Sequence, residues 1–233
     1  MTSAAGNPAI CVIEMQPEIV TFDIDGTLTV GHGWYYIAEM LGKKDDYLRS
    51  TCLYRSGRID EREHLNNLLN LAAGRTVDDI AGMLERVPLI DNIAEGVERL
   101  KSEGIDAFLL THNPEYVCKW YSGRFGFEGH ICSSQKVDGK TIRRAESAAP
   151  DKLAWLDKFC RARKVKLEDI LHIGDSASDR SVFIRTGRGI AVNTRDRSII
   201  YSATAYLNTT DMNDIAGKVL EISDSTQLFR EIR

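Results

Sequence analysis

Four short apolar runs, each stopping abruptly at polar residues, restrict the possible folds more than any other feature of this chain. Ile19-Val20-Thr21-Phe22 leads into Asp23-Ile24-Asp25-Gly26-Thr27, and Ile105 to Leu110 leads into Thr111-His112-Asn113. Ile170 to Ile173 likewise meets Gly174-Asp175-Ser176, and Gly189 to Val192 meets Asn193-Thr194. Continuous apolar runs of this length read as strands buried on both faces. Helical patterns separate them. Ile93, Val97 and Leu100 share one face before Gly104, while Asn113-Pro114 reads as a cap followed by proline at the first helical position, ahead of Val117, Trp120 and Tyr121. Pro150 opens a further pattern carrying Leu153, Leu156, Phe159 and Cys160. This alternation predicts an α/β protein with a Rossmann-like, doubly wound parallel sheet. Its functional site belongs outside the carboxyl ends of the strands.

The alternation is interrupted between about Gly31 and Asp91, where consecutive helical patterns occur with no strand among them. Leu65, Leu68, Leu69 and Ala72 have helical spacing before Gly74, and Thr76 caps a pattern bearing Ile80, Met83, Leu84 and Val87. We therefore expect a small helical cap over residues 34–91, inserted into a core made of 19–33 and 92–233 and preceded by an N-terminal arm, 1–18. Gly129 to Ile142 reads as irregular, with Asp138-Gly139 marking a hairpin turn.

Composition removes several function classes. The chain has 233 residues, 43% of them hydrophobic, and a formal net charge of −4, without a block of like charges suited to nucleic acid or an acidic membrane. The 5 cysteines include no C-x-x-C pair, which suggests neither a disulfide framework nor a zinc site and fits a reducing, cytoplasmic setting. No segment approaches the length of a membrane span.

The chemistry-bearing residues lie at the strand ends. Asp23 and Asp25 flank a residue before Gly26, which permits a tight turn that the Thr27 hydroxyl can hold. Thr111 ends the second run. Lys152 falls on the first turn of a helix, where the dipole mildly disfavours it. Asp175 and Asp179 follow the third run. Each has an ordinary explanation when taken alone: an Asx turn, a helix cap, a surface lysine, a pair of capping acids. Converging on one sheet edge, they form a set of carboxylates that would repel one another without a hard cation, and Mg²⁺ favours such oxygens together with substrate phosphate. That chemistry is phosphoryl transfer to a carboxylate.

In this order the residues resemble the four motifs of the haloacid dehalogenase-like (HAD) hydrolases: D-x-D-G-T at Asp23, a Ser/Thr at Thr111, a lysine at Lys152, and G-D-x-x-x-D from Gly174 to Asp179. Together with Ser56 to Asp60 ahead of its long helix, the insert resembles the cap of the phosphoserine phosphatase subgroup. The resemblance implies a Mg²⁺-dependent phosphomonoesterase. Asp23 would be the nucleophile and Asp25 the general acid and base; Asp23, the backbone carbonyl of Asp25, and Asp175 would bind the metal. Thr111 and Lys152 would hold the phosphoryl group, and Asp179 would orient Lys152 or a metal-bound water.

Departures from that subgroup bear on the substrate. His32 stands where a glutamate would receive the ammonium of phosphoserine. The cap helix offers His64, Asn66, Asn67 and Asn70 around Leu65 to Leu71 where an arginine would grip its carboxylate. Thr111-His112-Asn113 replaces Ser-Gly-Gly. The expected substrate is a small soluble phosphate ester selected by His32, His112 and Asn113, with no nucleic-acid or membrane partner. Phosphoserine phosphatase proper, a phosphomutase and a non-catalytic phosphate-binding module are the alternatives.

Overall fold

A computed structural model describes residues 19–145 and 151–231. The arm and Pro150 lie outside these. The chain enters on strand β1 (Ile19–Phe22) and then forms helices α1 (Gly33–Met40), α2 (Lys44–Arg55), α3 (Glu61–Leu71), α4 (Val77–Leu84) and α5 (Ile93–Ser102). It continues through β2 (Asp106–Pro114), α6 (Glu115–Phe125), β3 (Gly129–Ser133), β4 (Val137–Asp138) and β5 (Thr141–Ile142). The remainder is α7 (Lys152–Arg163), β6 (Ile170–Gly174), α8 (Ala177–Thr186), β7 (Gly189–Val192), α9 (Arg197–Ile200), β8 (Ala205–Leu207) and α10 (Met212–Glu231).

Six strands form one sheet in the order β3-β2-β1-β6-β7-β8, all neighbours parallel. Alternation along the strands divides the core. Val20, Phe22, Leu109, Leu171 and Ile173 pack with α5 and α10, whereas Ile19, Phe108, Leu110 and Ile170 pack with Leu156 and Cys160 of α7 and Val182 of α8. The doubly wound α/β expectation holds. The order reverses about β1: the chain first builds outward through β2 and β3, then crosses to β6. This opens a crevice past the ends of β1 and β6, the usual ligand position in such sheets.

Helices α1 to α4 form the insert. Its two crossings are tied together, because Val30 N donates to Pro88 O (2.9 Å) and Ile90 N to Leu28 O (3.0 Å). Thr76 caps α4 in a reciprocal pair with Asp79, as expected, although the helix ends at Leu84, short of Val87. The Asp138-Gly139 hairpin is present as β4 and β5, and it pairs onto the insert through Gly74 N to Ile142 O (2.9 Å) and Val77 N to Lys140 O (2.9 Å).

Three expectations need correction. Strand β2 does not stop at Leu110; it continues to Pro114, so Asn113 is no helix cap, and Pro114 precedes α6 without a side-chain cap. Pairing with β3 and the side-chain bonds of Asn113 override the local helix-start signal. Gly129 to Ser133, read as irregular, is the edge strand β3, and β8 is a further edge strand that no apolar run announced. Thr27 does not hold the first turn: its buried hydroxyl has no partner among the described residues, and Thr29 Oγ1 instead accepts from Gly26 N at 3.0 Å.

Candidate active site

The ends of β1, β2 and β6 and the first turns of α7 and α8 bring Asp23, Asp25, Thr111, Lys152, Asp175 and Asp179 to one crevice. Lys152 is buried, its Nζ lying 2.8 Å from Asp23 Oδ2 and 2.7 Å from Asp179 Oδ1. The other Asp23 oxygen accepts from Ile24 N at 2.8 Å. Burial by itself lowers the Lys152 ammonium, but Asp179 and Asp23 outweigh it and hold the lysine above its ordinary range. Burial raises the Asp179 carboxyl, yet Lys152 and His172 reverse the sign and keep it well below the usual carboxylate range.

Asp23, Asp175 and Asp179 each present an oxygen within 4.8 Å of the others. Burial, followed by Asp179 and Asp23, pushes Asp175 well up, and burial also raises Asp23. Asp175 Oδ1 is buried and lacks a hydrogen-bond partner among the described residues. One ammonium among three carboxylates leaves negative charge uncompensated, and an orphaned carboxylate oxygen is costly away from water. These acids therefore fit a hard divalent cation. The loop permits it because Gly26 has φ +74°, a conformation side chains rarely adopt, and a Cβ there would collide with the Asp175 carboxylate.

The Asp25 carboxylate points elsewhere. Its Oδ1 accepts from Gly33 N at 2.6 Å, at the start of the insert, and its Oδ2 accepts from Asn113 Nδ2 at 2.8 Å. Asn113 Oδ1 in turn accepts from Trp34 Nε1 at 2.8 Å, so both ends of this buried amide are engaged. Of the residues expected to select substrate, Asn113 thus supports Asp25. His32 Nδ1 lies 3.5 Å from Asp25 Oδ1 with its ring partly exposed, and His112 meets Trp155 edge-on, ring centres 5.6 Å apart. Thr111 is buried, and its hydroxyl accepts from Asn113 N (3.3 Å) and Nδ2 (3.1 Å).

Three further polar residues were not anticipated from the sequence. Glu61, on the first turn of α3, has its carboxyl raised by burial, with Lys152 opposing and Asp179 adding to the shift. Thr21 and His172, single polar residues inside apolar runs, form a buried pair behind the site, Oγ1 to Nδ1 at 2.8 Å. Their matching register across β1 and β6 was the available signal, and it requires knowing that these strands are neighbours.

The model of the haloacid dehalogenase-like hydrolases matches residues 20–183. The chain belongs to this family. It is 23% identical over 185 residues to a phosphoserine phosphatase of Archaeoglobus fulgidus, covering 78% of this chain and 54% of the relative, so the match spans about half of that protein's length. A phosphoserine phosphatase of Methanocaldococcus jannaschii is 21% identical over 183 residues, 77% of this chain and 87% of the relative. A solved phospho-aspartyl intermediate analogue of phosphoserine phosphatase superposes with a TM-score of 0.73 at 18% identity, covering 88% of this chain and 99% of that one. The chain is thus a phosphoserine phosphatase-like HAD hydrolase. No helix among its described residues is long and apolar enough to cross a membrane.

Proposed function

We propose that this hydrolase is a Mg²⁺-dependent phosphomonoesterase acting on a small, soluble organic phosphate through an aspartyl-phosphate on Asp23. The observation that carries the reading is the buried Asp23–Lys152–Asp179 array beside the orphaned Asp175 oxygen. It combines a fixed carboxylate nucleophile, a cation for phosphoryl oxygens and an acidic pocket for a metal. Asp23, Asp175 and the backbone carbonyl of Asp25 would hold Mg²⁺, which supplies charge neutralisation between nucleophile and phosphate.

Asp23 attacks phosphorus: a bond forms from its carboxylate oxygen as the ester P–O bond breaks, and Asp25 gives a proton to the leaving oxygen. Asp25 then takes a proton from water, whose oxygen attacks phosphorus and breaks the bond to Asp23, releasing inorganic phosphate. Gly33 and Asn113 hold Asp25 on the insert side, where a leaving group would enter. Lys152 faces the oxygens that carry developing charge, and Thr111, seen only as an acceptor among the described residues, has its own hydrogen to donate. Asp179 fixes Lys152. His32, partly exposed with its Nδ1 3.5 Å from Asp25 Oδ1, stands beside the leaving-group side of the site.

The test is phosphate release with Mg²⁺ over a panel of small phosphomonoesters, phosphoserine included, with Asp23→Asn as the blank. Turnover abolished by the substitution supports the reading. Full turnover in Asp23→Asn, or none from wild type on any ester, overturns it. A product that is an isomerised ester in place of free phosphate points to mutase chemistry.

A further inference from the structure

We propose that His172, carried by Thr21, is a positioning residue that fixes Asp179 and through it the ammonium of Lys152; this rests on the phosphatase reading of the site. The support is a continuous buried hydrogen-bond chain. His172 Nε2 lies 2.9 Å from Asp179 Oδ1, the same oxygen that receives Lys152 Nζ at 2.7 Å. Asp179 Oδ2 accepts from Ser176 N at 2.9 Å and from Ser176 Oγ at 2.8 Å. Each carboxylate oxygen therefore has two partners, and the group has no second orientation of equal quality. A Cβ on Gly174 would collide with this carboxylate, so the strand end itself is shaped around it.

His172 Nε2 faces a carboxylate and therefore carries hydrogen, while Nδ1 is held by Thr21 through both its hydroxyl at 2.8 Å and its carbonyl oxygen at 3.1 Å. Thr21 and His172 are register partners on β1 and β6, on the sheet face shared with Ile19 and Ile170. Along that face Ile19 and Thr21 of β1 give way to Asp23 just past the strand end: apolar packing, then the support, then the nucleophile. The histidine is fully buried, its ring 5.5 Å from that of Phe183. An aliphatic side chain would fill the same layer without desolvating an imidazole, so packing alone gives no reason for this residue.

The consequence lies in Lys152. Its ammonium is shared between Asp23 and Asp179, and the interaction useful to phosphoryl transfer is the one facing Asp23. The hydrogen bonds from His172 and Ser176 hold Asp179 in place, so the lysine is anchored on one side and aimed at the nucleophile on the other. Without the imidazole, Asp179 Oδ1 is free to follow the lysine, and the aim is lost while the fold remains.

Two substitutions separate aim from packing. His172→Gln places an amide nitrogen near the position of Nε2, whereas His172→Asn keeps a polar atom near Thr21 but falls short of Asp179. For His172→Asn we expect kcat to drop about tenfold with KM changed by less than about threefold, the scale of one hydrogen bond to a charged group. His172→Gln should recover most of that loss. Independently of turnover, proton NMR of the metal-free wild type should show a far-downfield imidazole N–H resonance that moves in Asp179→Asn. Equal kcat in wild type and His172→Asn, or parallel losses of kcat and Tm in both variants, overturns the proposal. So does an imidazole signal indifferent to Asp179. An inactive wild type with the NMR signature intact instead overturns the phosphatase reading.

Discussion

Asn113 Nδ2 donates to Asp25 Oδ2 at 2.8 Å across 88 residues of sequence, which makes the second strand a support for the first. The same amide receives Trp34 Nε1, so strand β2, the loop after β1 and the insert meet at one side chain. A general acid works only when held within hydrogen-bond reach of its proton's destination. Replacing Asn113 with alanine frees one Asp25 oxygen and leaves the Trp34 N–H unpaired. Steady-state kinetics should show kcat down by about 10²-fold, the low end for losing a positioned acid-base group, with KM changing far less. A kcat within about twofold of wild type in a folded variant overturns the role given to Asn113.

Metal removal should be visible without any substrate. The Asp175 oxygen, without a partner among the described residues, and the raised Asp23 and Asp175 carboxyls mark a cost of burial that a bound cation would relieve. Binding to the folded state alone stabilises it by about 2.7 kcal/mol at a hundredfold excess over Kd. Thermal melts should therefore show Tm rising with Mg²⁺ and returning with EDTA, while Asp175→Asn should melt at the same temperature with or without the ion. A Mg²⁺-independent wild-type Tm would count against a metal at these acids.

How much of this was legible in the sequence depended on where each polar residue fell. Asp23, Asp25, Asp175 and Asp179 stand just past apolar runs, so local pattern alone put them at strand ends. Asn113-Pro114 misled because its local chemistry is that of a helix start; the pairing of Thr111 and Pro114 with β3 on either side of a bulge, together with the bond to Asp25, keeps it in the strand. Strands β3 and β8 are the sheet's edges, half-exposed and without an apolar run, and they carry a weak periodic signal. Thr21 and His172 were invisible for another reason: each is one polar residue in an apolar strand, and the pair exists only once β1 and β6 are neighbours.

Acid should weaken the insert through His64. Burial pushes this imidazole down to about 4 from an ordinary 6.5; its Nδ1 lies 2.9 Å from Ser50 Oγ, and its ring stacks on Tyr54. The unfolded chain, with the higher value, binds more protons between those limits. Stability is accordingly unaffected by this group above pH 6.5 and falls as pH drops from 6.5 through 4. Urea midpoints measured across that window should slope less steeply in His64→Asn than in wild type. Identical slopes would show that His64 is not the titrating group.

Glu61 should bear on substrate choice. It is a half-buried acid at the start of α3, its carboxyl raised by burial and interacting electrostatically with Lys152 and Asp179. A substrate carrying a carboxylate near its phosphate ester meets a like charge there, while a polyol offers hydroxyl donors to the same oxygens. In wild type, glycerol phosphate should give a higher kcat/KM than phosphoglycolate. Glu61→Gln removes the charge but keeps the size and one acceptor, and should raise the phosphoglycolate-to-glycerol phosphate ratio of kcat/KM by about fivefold, ~1 kcal/mol, the scale of a solvent-screened charge pair. Both substrates share the same reacting phosphate, so a change confined to chemistry cancels in the ratio. An unchanged ratio would remove Glu61 from specificity and return that role to His32.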